Sequence, residues 1–231
     1  MKNPKSKLIN NYSTGVHSGS LTNAVLIADD LAHQGYKVLL LISDPEKMKR
    51  VLESFNQEIF LSGGKETDLQ ELFMLLESGK MTDERLILYA KKMSTRSLHL
   101  IGAMDVDQVA QIDRIFPITG EYDFVFNVSD AHLAFADMNV RTETQDALVR
   151  LLEKDRTMLA DLMIIGQYKS YKHLSLKKMK RWLGDIPAFT VSQSEDVNRA
   201  YHRSNLLMKN YDVDREIDLI AKYIRSQAVI K

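Results

Sequence analysis

The chain has 231 residues, of which 45% are apolar and 27% are charged, and its 31 basic residues equal its 31 acidic residues. This composition predicts one globular α/β domain over residues 1–231, and the zero net charge gives no global field that would recruit nucleic acid or an anionic membrane. The absence of cysteine excludes disulfides, thiolate metal sites and a cysteine nucleophile.

The N-terminal residues, Met1 to Lys7, are polar and lack the apolar region of a signal peptide. No run in the chain approaches the ~18 apolar residues of a transmembrane helix. We therefore expect a cytoplasmic protein, with peripheral attachment at the inner face of the membrane as the alternative.

Residues 8–44 predict a βαβ unit. A short apolar strand, Leu8 to Tyr12, leads into a turn of small residues, 13–20. A helix follows from Leu21 to Gln34, Gly35 ends it, and a strongly apolar strand runs from Lys37 to Ile42. In such a unit the turn meets the helix N-terminus, where free N–H groups and the helix dipole favour an anion. The pattern predicts the geometry of a phosphate site.

The turn lacks the side chains that a phosphate site uses. A P-loop reads G-x-x-x-x-G-K-[ST], and here the glycine at the second position, Gly19, is followed by Ser20 and Leu21. Ser20 supplies no positive charge, and Leu21 offers no oxygen to Mg²⁺. Two interpretations remain: a degraded phosphate site, or ordinary turn glycines in an unrelated α/β protein.

The run from Gly19 to Leu41 resembles the opening of the ParA/MinD family of deviant-Walker ATPases, which reads KGGVGKTT, then a helix, then G-K-R-V-L-L-I-D-x-D. The resemblance implies an α/β fold with a mainly parallel central sheet flanked by helices on both faces. Aligned with this pattern, the family's signature Lys, phosphate-binding Lys, Mg²⁺-binding Thr and first Asp of D-x-D fall on Gly15, Ser20, Leu21 and Ile42, while Gly19, Thr22 and Asp44 match it. The degenerate nucleotide-binding turn would comprise Gly15, Val16, His17, Ser18, Gly19, Ser20, Leu21 and Thr22. The resemblance implies the fold and argues against hydrolysis.

The middle of the chain predicts mostly helices. We expect helices over 46–55, 68–78, 82–93 and 107–116, and strands over 59–61 and 98–101. The residues Asp68-Leu69, Asp83-Glu84 and the run 97–103 resemble the TadZ/CpaE branch of the family. That branch implies a role in localising or assembling a Tad-type pilus.

Residues 122–129 resemble the family's Walker-B strand, written Y-D-x-V-x-x-D-T. Its metal-site Asp falls on Val128, which cannot organise a Mg²⁺-bound water. Residues 129–140 then take the place of the family's switch and dimer-facing loop, which makes Asp130, like Asp44, a switch-like position. The alternatives are a solvated loop and a surface that contacts a partner or a second copy.

The last part of the chain predicts a helix over 143–159, strands over 161–166 and 186–192, and a helix around Ile217 to Ile224. Between the strands lies a basic segment that carries Lys169, Lys172, Lys177, Lys178 and Arg181. Such a segment can bind DNA phosphates or anionic lipid, or it can be an amphipathic helix that buries its leucines and Met179.

The six histidines show no metal-ligand spacing, so we predict no metal site and no catalytic residue. The first hypothesis is a pseudo-ATPase without cofactor. It would act as a homodimer that recruits a protein partner for positioning or assembly, for example of a pilus or secretion apparatus. The second is an ATP-binding switch or weak ATPase that holds Mg-ATP through backbone N–H groups of residues 16–22. The third is a module that binds nucleic acid or a membrane through the basic segment.

Overall fold

The computed structural model describes residues 6–15, 18–54, 69–93, 97–102, 114–116, 119–154, 159–169, 175–202 and 212–229. In these residues, eight strands form one sheet in the order β3-β4-β2-β5-β1-β6-β7-β8. The strands are β1 (Lys7–Tyr12), β2 (Val38–Ile42), β3 (Lys91–Met93), β4 (Leu98–Gly102), β5 (Phe124–Ser129), β6 (Met138–Thr144), β7 (Leu162–Tyr168) and β8 (Ala188–Ser192). Neighbouring strands are parallel except β3 and β4, which are antiparallel. The predicted fold class is confirmed.

The described helices cover both faces of the sheet. They are α1 (Ser20–His33), α2 (Pro45–Ser54), α3 (Leu69–Glu77), α4 (Asp83–Tyr89), α5 (Gln145–Lys154), α6 (Leu176–Leu183), α7 (Glu195–His202) and α8 (Asp214–Val229). Apolar residues of α1, α2, α7 and α8 share one core cluster with one face of the sheet. On the other face α3 and α4 cover one side, and α5 and α6 cover the other side. No described helix is both long and apolar enough to cross a bilayer.

The predicted βαβ unit is present as β1, α1 and β2, with β5 lying between the two strands. All five residues of β2 are buried, as expected for a parallel strand covered on both faces. Helix α1 ends at Gly35, whose φ of 98° is a left-handed conformation that suits glycine.

The predicted helix over 82–93 is wrong in its last four residues. Helix α4 is capped by Thr82, whose hydroxyl accepts a hydrogen bond from the Arg85 N–H, and it ends before Ala90, which is extended. Residues 91–93 form β3 and pair antiparallel with β4, which buries Met93 completely. Strand pairing at the sheet edge therefore overrides the local helical pattern.

The sequence prediction also misses β6. The helix expected from residue 143 begins at Gln145, and the residues before it form a strand in the middle of the sheet. This strand carries Asn139, Arg141 and Glu143, which are polar but buried, whereas a central parallel strand is usually apolar. The predicted strand over 59–61 and most of the predicted helix over 107–116 lie outside the described residues.

Candidate functional site

The polar residues of interest lie at one edge of the sheet, where the parallel strands β1, β2, β5 and β6 end. The turn 13–20 follows β1, Asp44 follows β2, and the loop 130–137 follows β5. The carboxyl ends of parallel strands are where α/β proteins bind ligands. The fold thus brings the predicted turn and both switch-like positions to the same edge.

The second half of the turn is closely packed. Gly19 has φ of 84° and precedes the first residue of α1. The Ser20 N–H donates to the Ser18 hydroxyl at 3.2 Å, and the Ser20 carbonyl accepts from the Asn11 side chain at 2.9 Å. A Cβ on Gly166 of β7 would lie 2.7 Å from the Ser18 carbonyl oxygen, so this strand needs glycine where it touches the turn.

The first half of the turn contacts the carboxylate of Glu143, a residue with no exposed surface. This carboxylate accepts from the Thr14 N–H at 3.1 Å, the Thr14 hydroxyl at 2.8 Å and Nε of Arg141 at 3.0 Å. A Cβ on Gly15 would lie 3.2 Å from Glu143 Oε2. The acidic group therefore lies directly against the turn.

Arg141 completes this cluster. Its Nη2 donates to the Thr14 hydroxyl at 3.1 Å, and its guanidinium lies 5.8 Å from the centre of the Tyr12 ring. Burial raises the pKa of the Tyr12 phenol, although Arg141 acts in the opposite direction. The positive charge of Arg141 is thus already paired with Glu143.

Three asparagines on adjacent strands form a second buried cluster beside the first. Asn127 on β5 donates to Asn10 on β1, and Asn10 donates to Asn139 on β6, each at 2.9 Å. Asn139 also accepts from the Leu133 N–H and donates to the Leu133 carbonyl, both at 2.9 Å. Asn10 additionally donates to the Ala131 carbonyl at 2.9 Å. These bonds attach the loop 130–137 to the sheet.

The two switch-like carboxylates share a lysine that sequence reasoning missed. Asp44 caps α2 by accepting from the Glu46 N–H at 2.8 Å and the Lys47 N–H at 3.2 Å. The Lys47 ammonium lies 3.8 Å from Asp44 and forms an ion pair with Asp130. Asp44 therefore has a structural role in this structure, and Asp130 pairs with a cation.

Solved structures share this fold. The ParA family ATPase from Chlorobium tepidum superposes with a TM-score of 0.68 at 15% identity, over 95% of this chain and 99% of that one. The septum site-determining protein MinD complexed with Mg-ADP from Pyrococcus horikoshii gives 0.67 at 13% identity, over 97% and 98%. This chain has the fold of the ParA and MinD ATPases. The MinC:MinD cell division protein complex of Aquifex aeolicus also matches, with a TM-score of 0.63 at 16% identity over 96% of each chain. No protein-family model and no curated protein sequence matches the chain.

Among positions aligned with the ParA/MinD pattern, several are described. Leu21, in the first turn of α1, packs against the core, and both Val128 and Ile42 are fully buried. Ser20 is buried, and Thr22 is half-buried. Val16 and His17 lie outside the described residues. The aligned metal-site positions therefore carry buried or partly buried apolar side chains.

A magnesium triphosphate needs cations, free N–H donors and metal-binding oxygens. In the described part of the turn, the N–H groups of Thr14, Gly15 and Ser20 already donate to Glu143, Ser13 and Ser18. The adjacent carboxylate carries the same sign of charge as phosphate. No group of three or more histidine or acidic residues that could hold a metal occurs in the described ranges. The N–H groups of Thr14, Gly15 and Ser20 are therefore not free to bind Mg-ATP.

The five basic residues of the basic segment do not lie on one helix. Lys177, Lys178 and Arg181 are exposed on α6, whereas Lys169 is half-buried after β7 and Lys172 lies outside the described residues. Met179 and Leu183 are buried, as predicted for an amphipathic helix, and Lys178 Nζ lies 5.1 Å from the centre of the Trp182 ring. The structure brings this helix to the side of α5 and β7 and not to the turn.

Sequence reasoning missed the partners of the turn, because they lie on the missed strand β6. The signal that could have found them is the alternation of polar Asn139, Arg141 and Glu143 with Val140 and Thr142, a period of two that indicates a strand.

Proposed function

We propose that this chain is a pseudo-ATPase with the ParA/MinD fold that positions or assembles a cellular structure by recruiting a protein partner without using nucleotide. The observation that carries the proposal is the buried carboxylate of Glu143 against Thr14 and Gly15. An anion bound in this turn would face that carboxylate at close range, and the charge of Arg141 beside it is already balanced by Glu143.

The same proposal includes self-association through the surface around the loop 130–137. Phe135 in this loop is 58% exposed, and Leu159 is 61% exposed. The Leu159 carbonyl accepts a hydrogen bond from the Tyr12 hydroxyl, and Phe135 belongs to the loop that Asn10 and Asn139 attach to the sheet. An exposed aromatic residue at a protein surface is a typical anchor of an interface. The resemblance to the TadZ/CpaE branch would make the assembled structure a Tad-type pilus or a related secretion apparatus.

Isothermal titration of the full chain with Mg-ATP tests the nucleotide part of the proposal. We expect no heat of binding at micromolar or submillimolar nucleotide and no phosphate release. Micromolar binding of Mg-ATP, with or without turnover, contradicts the proposal.

Light scattering tests the association part. We expect a concentration-dependent dimer that Phe135→Ser weakens. The matched control is Leu219→Ser on α8, where a 48% exposed leucine lies on the other face of the sheet. If the wild type and both variants have the mass of a monomer at every concentration, the homodimer is contradicted.

A second candidate, an ATP-binding switch, is favoured by one specific observation. The N-terminus of α1 has no side-chain cap and no acidic residue in its first turn. Beside it, the Asn23 amide nitrogen is buried and has no hydrogen-bond partner among the described residues. Because a helix N-terminus attracts anions, nucleotide binding without hydrolysis would support this candidate over the first.

A further inference from the structure

Cross-strand side-chain pairs connect β1 and β6 along one face of the sheet. The register places Asn10 opposite Asn139 and Tyr12 opposite Arg141. One step further along the same direction, Thr14 bonds to Glu143. We call these three pairs the β1–β6 ladder. It lies between the apolar clusters under α3–α4 and under α5–α6, and its β6 members are all buried.

At one end of the ladder, Glu143 is hydrogen-bonded to the turn. Glu143 accepts both the N–H and the hydroxyl of Thr14, at 3.1 and 2.8 Å. Ion pairing with Arg141 compensates the cost of burying this charge. A carboxylate that accepts hydrogen bonds from a backbone N–H and a hydroxyl provides the kind of contacts that a phosphate oxygen provides.

At the other end of the ladder, Asn10 and Asn139 are hydrogen-bonded to the loop 130–137. The Asn139 side chain bonds to both the N–H and the carbonyl of Leu133, which imitates the pairing of a neighbouring strand. Asn10 adds a bond to Ala131, and the Ser129 hydroxyl donates to Asn10 at 2.8 Å. Buried polar networks whose members are paired favour one arrangement of the groups they join.

We propose that the β1–β6 ladder is a built-in latch in which Glu143 takes the place of a bound anion, so that the turn 13–15 and the loop 130–137 keep one conformation whether or not nucleotide is present. This inference rests on the proposed function, because it explains how a partner surface next to Phe135 is presented without ATP. Both attachment points, Asn139 and Glu143, belong to one short strand. The distance between the two attached segments is therefore set by the sheet itself.

Residue-resolved hydrogen exchange of the full chain tests the latch. The reporters are the Thr14 and Leu133 amides, which donate to the two ends of the ladder. In the ligand-free protein we expect both to exchange at least about a hundredfold more slowly than in an unstructured chain. We expect no change on adding Mg-ATP. Unprotected reporters, or reporters that become protected only with Mg-ATP, overturn the latch.

Two variants test whether Glu143 and Asn139 cause the slow exchange of the two reporter amides. Glu143→Met is expected to speed exchange at Thr14 by at least tenfold, and Asn139→Leu to do the same at Leu133. The matched control is Glu216→Met, which removes a carboxylate that accepts the Ser192 N–H at 2.7 Å elsewhere in the fold. Unchanged reporters in folded Glu143→Met and Asn139→Leu contradict the proposal. If either variant does not fold, the wild-type comparison with and without Mg-ATP still decides.

The result separates the latch from the proposed function. If calorimetry detects Mg-ATP binding but both reporters are protected equally with and without it, the pseudo-ATPase proposal fails and the latch stands. If no nucleotide binds and the reporters exchange freely, the latch fails and the pseudo-ATPase proposal stands.

Discussion

Arg141 and Glu143 lie two residues apart on the same face of β6 and form an ion pair of 3.0 Å between Nε and Oε1. Their side chains are 10% and 0% exposed, so this pair is almost completely removed from water. Removing one partner of such a pair leaves a buried charge without compensation.

The ion pair leads to the first prediction. Arg141→Met is expected to lower the free energy of unfolding by about 3–5 kcal/mol, because Glu143 would lose its counter-ion. The double variant Arg141→Met with Glu143→Leu should be less destabilised than the sum of the two single variants. Urea unfolding of the four proteins measures the coupling, and additive losses would show that the pair does not act as a unit.

A second prediction concerns the contact between β7 and the turn. Gly166→Ala is expected to cost about 1–3 kcal/mol, because the new methyl group would meet the backbone carbonyl of Ser18 at 2.7 Å. The matched control is Gly102→Ala, where the new methyl group would meet the flexible thioether of Met48. The melting temperatures of the two variants, measured by thermal unfolding, are compared. If the Gly102 variant loses more stability than the Gly166 variant, the backbone of the turn moves more easily than the Met48 side chain.

A third prediction concerns pH. Burial, with a smaller effect from Lys92, lowers the pKa of His99 from its ordinary 6.5. Its Nδ1 has no partner among the described residues, and its ring lies edge-on to Tyr122 at 5.5 Å. The unfolded chain therefore takes up a proton at a higher pH than the folded chain. Stability should be fully retained above about pH 6.5 and should fall as the pH drops below it.

The variant His99→Phe keeps a ring in the same place and removes the titrating group. We expect its free energy of unfolding to fall less between about pH 7.5 and about pH 5.5 than that of the wild type, measured by urea unfolding. His132→Phe, at an exposed position, is the control and should follow the wild-type curve. If the free energy of unfolding changes equally with pH in all three proteins, His99 is not the cause of the pH dependence.

A fourth prediction concerns the exposed cations of α6. The triple variant Lys177→Glu, Lys178→Glu and Arg181→Glu is expected to keep its melting temperature, because the core contacts of this helix come from Met179 and Leu183. Under the amphipathic-helix interpretation, the wild type binds neither duplex DNA nor anionic vesicles. Salt-sensitive binding that the triple variant loses would support the third hypothesis instead.

The sequence predicts the parts of this fold whose patterns are local. The apolar run of β2 and the Gly35 stop of α1 depend on neighbouring residues, and both are found in the structure. Strand β3 could not be predicted, because its pairing with β4 is decided by contacts across the sheet. Strand β6 was missed because its buried polar residues are stabilised by β1 and by the turn, which are more than 100 positions away in the chain.

The residues of the candidate site remain a prediction, and the structure adds the contacts that these residues make. The turn, Asp44 and Asp130 follow β1, β2 and β5, which end at the same edge of the sheet. That Lys47 joins the two carboxylates depends on distances that no spacing rule supplies.

The short strand β3 has a consequence for how the molecule can join others. It ends the sheet with only three residues, two of which are lysines, and it runs against the direction of its neighbour. Short, charged border strands discourage the chain-to-chain hydrogen bonding that leads to fibres. At this border, a companion protein would have to be recognised through side chains instead of by extending the sheet.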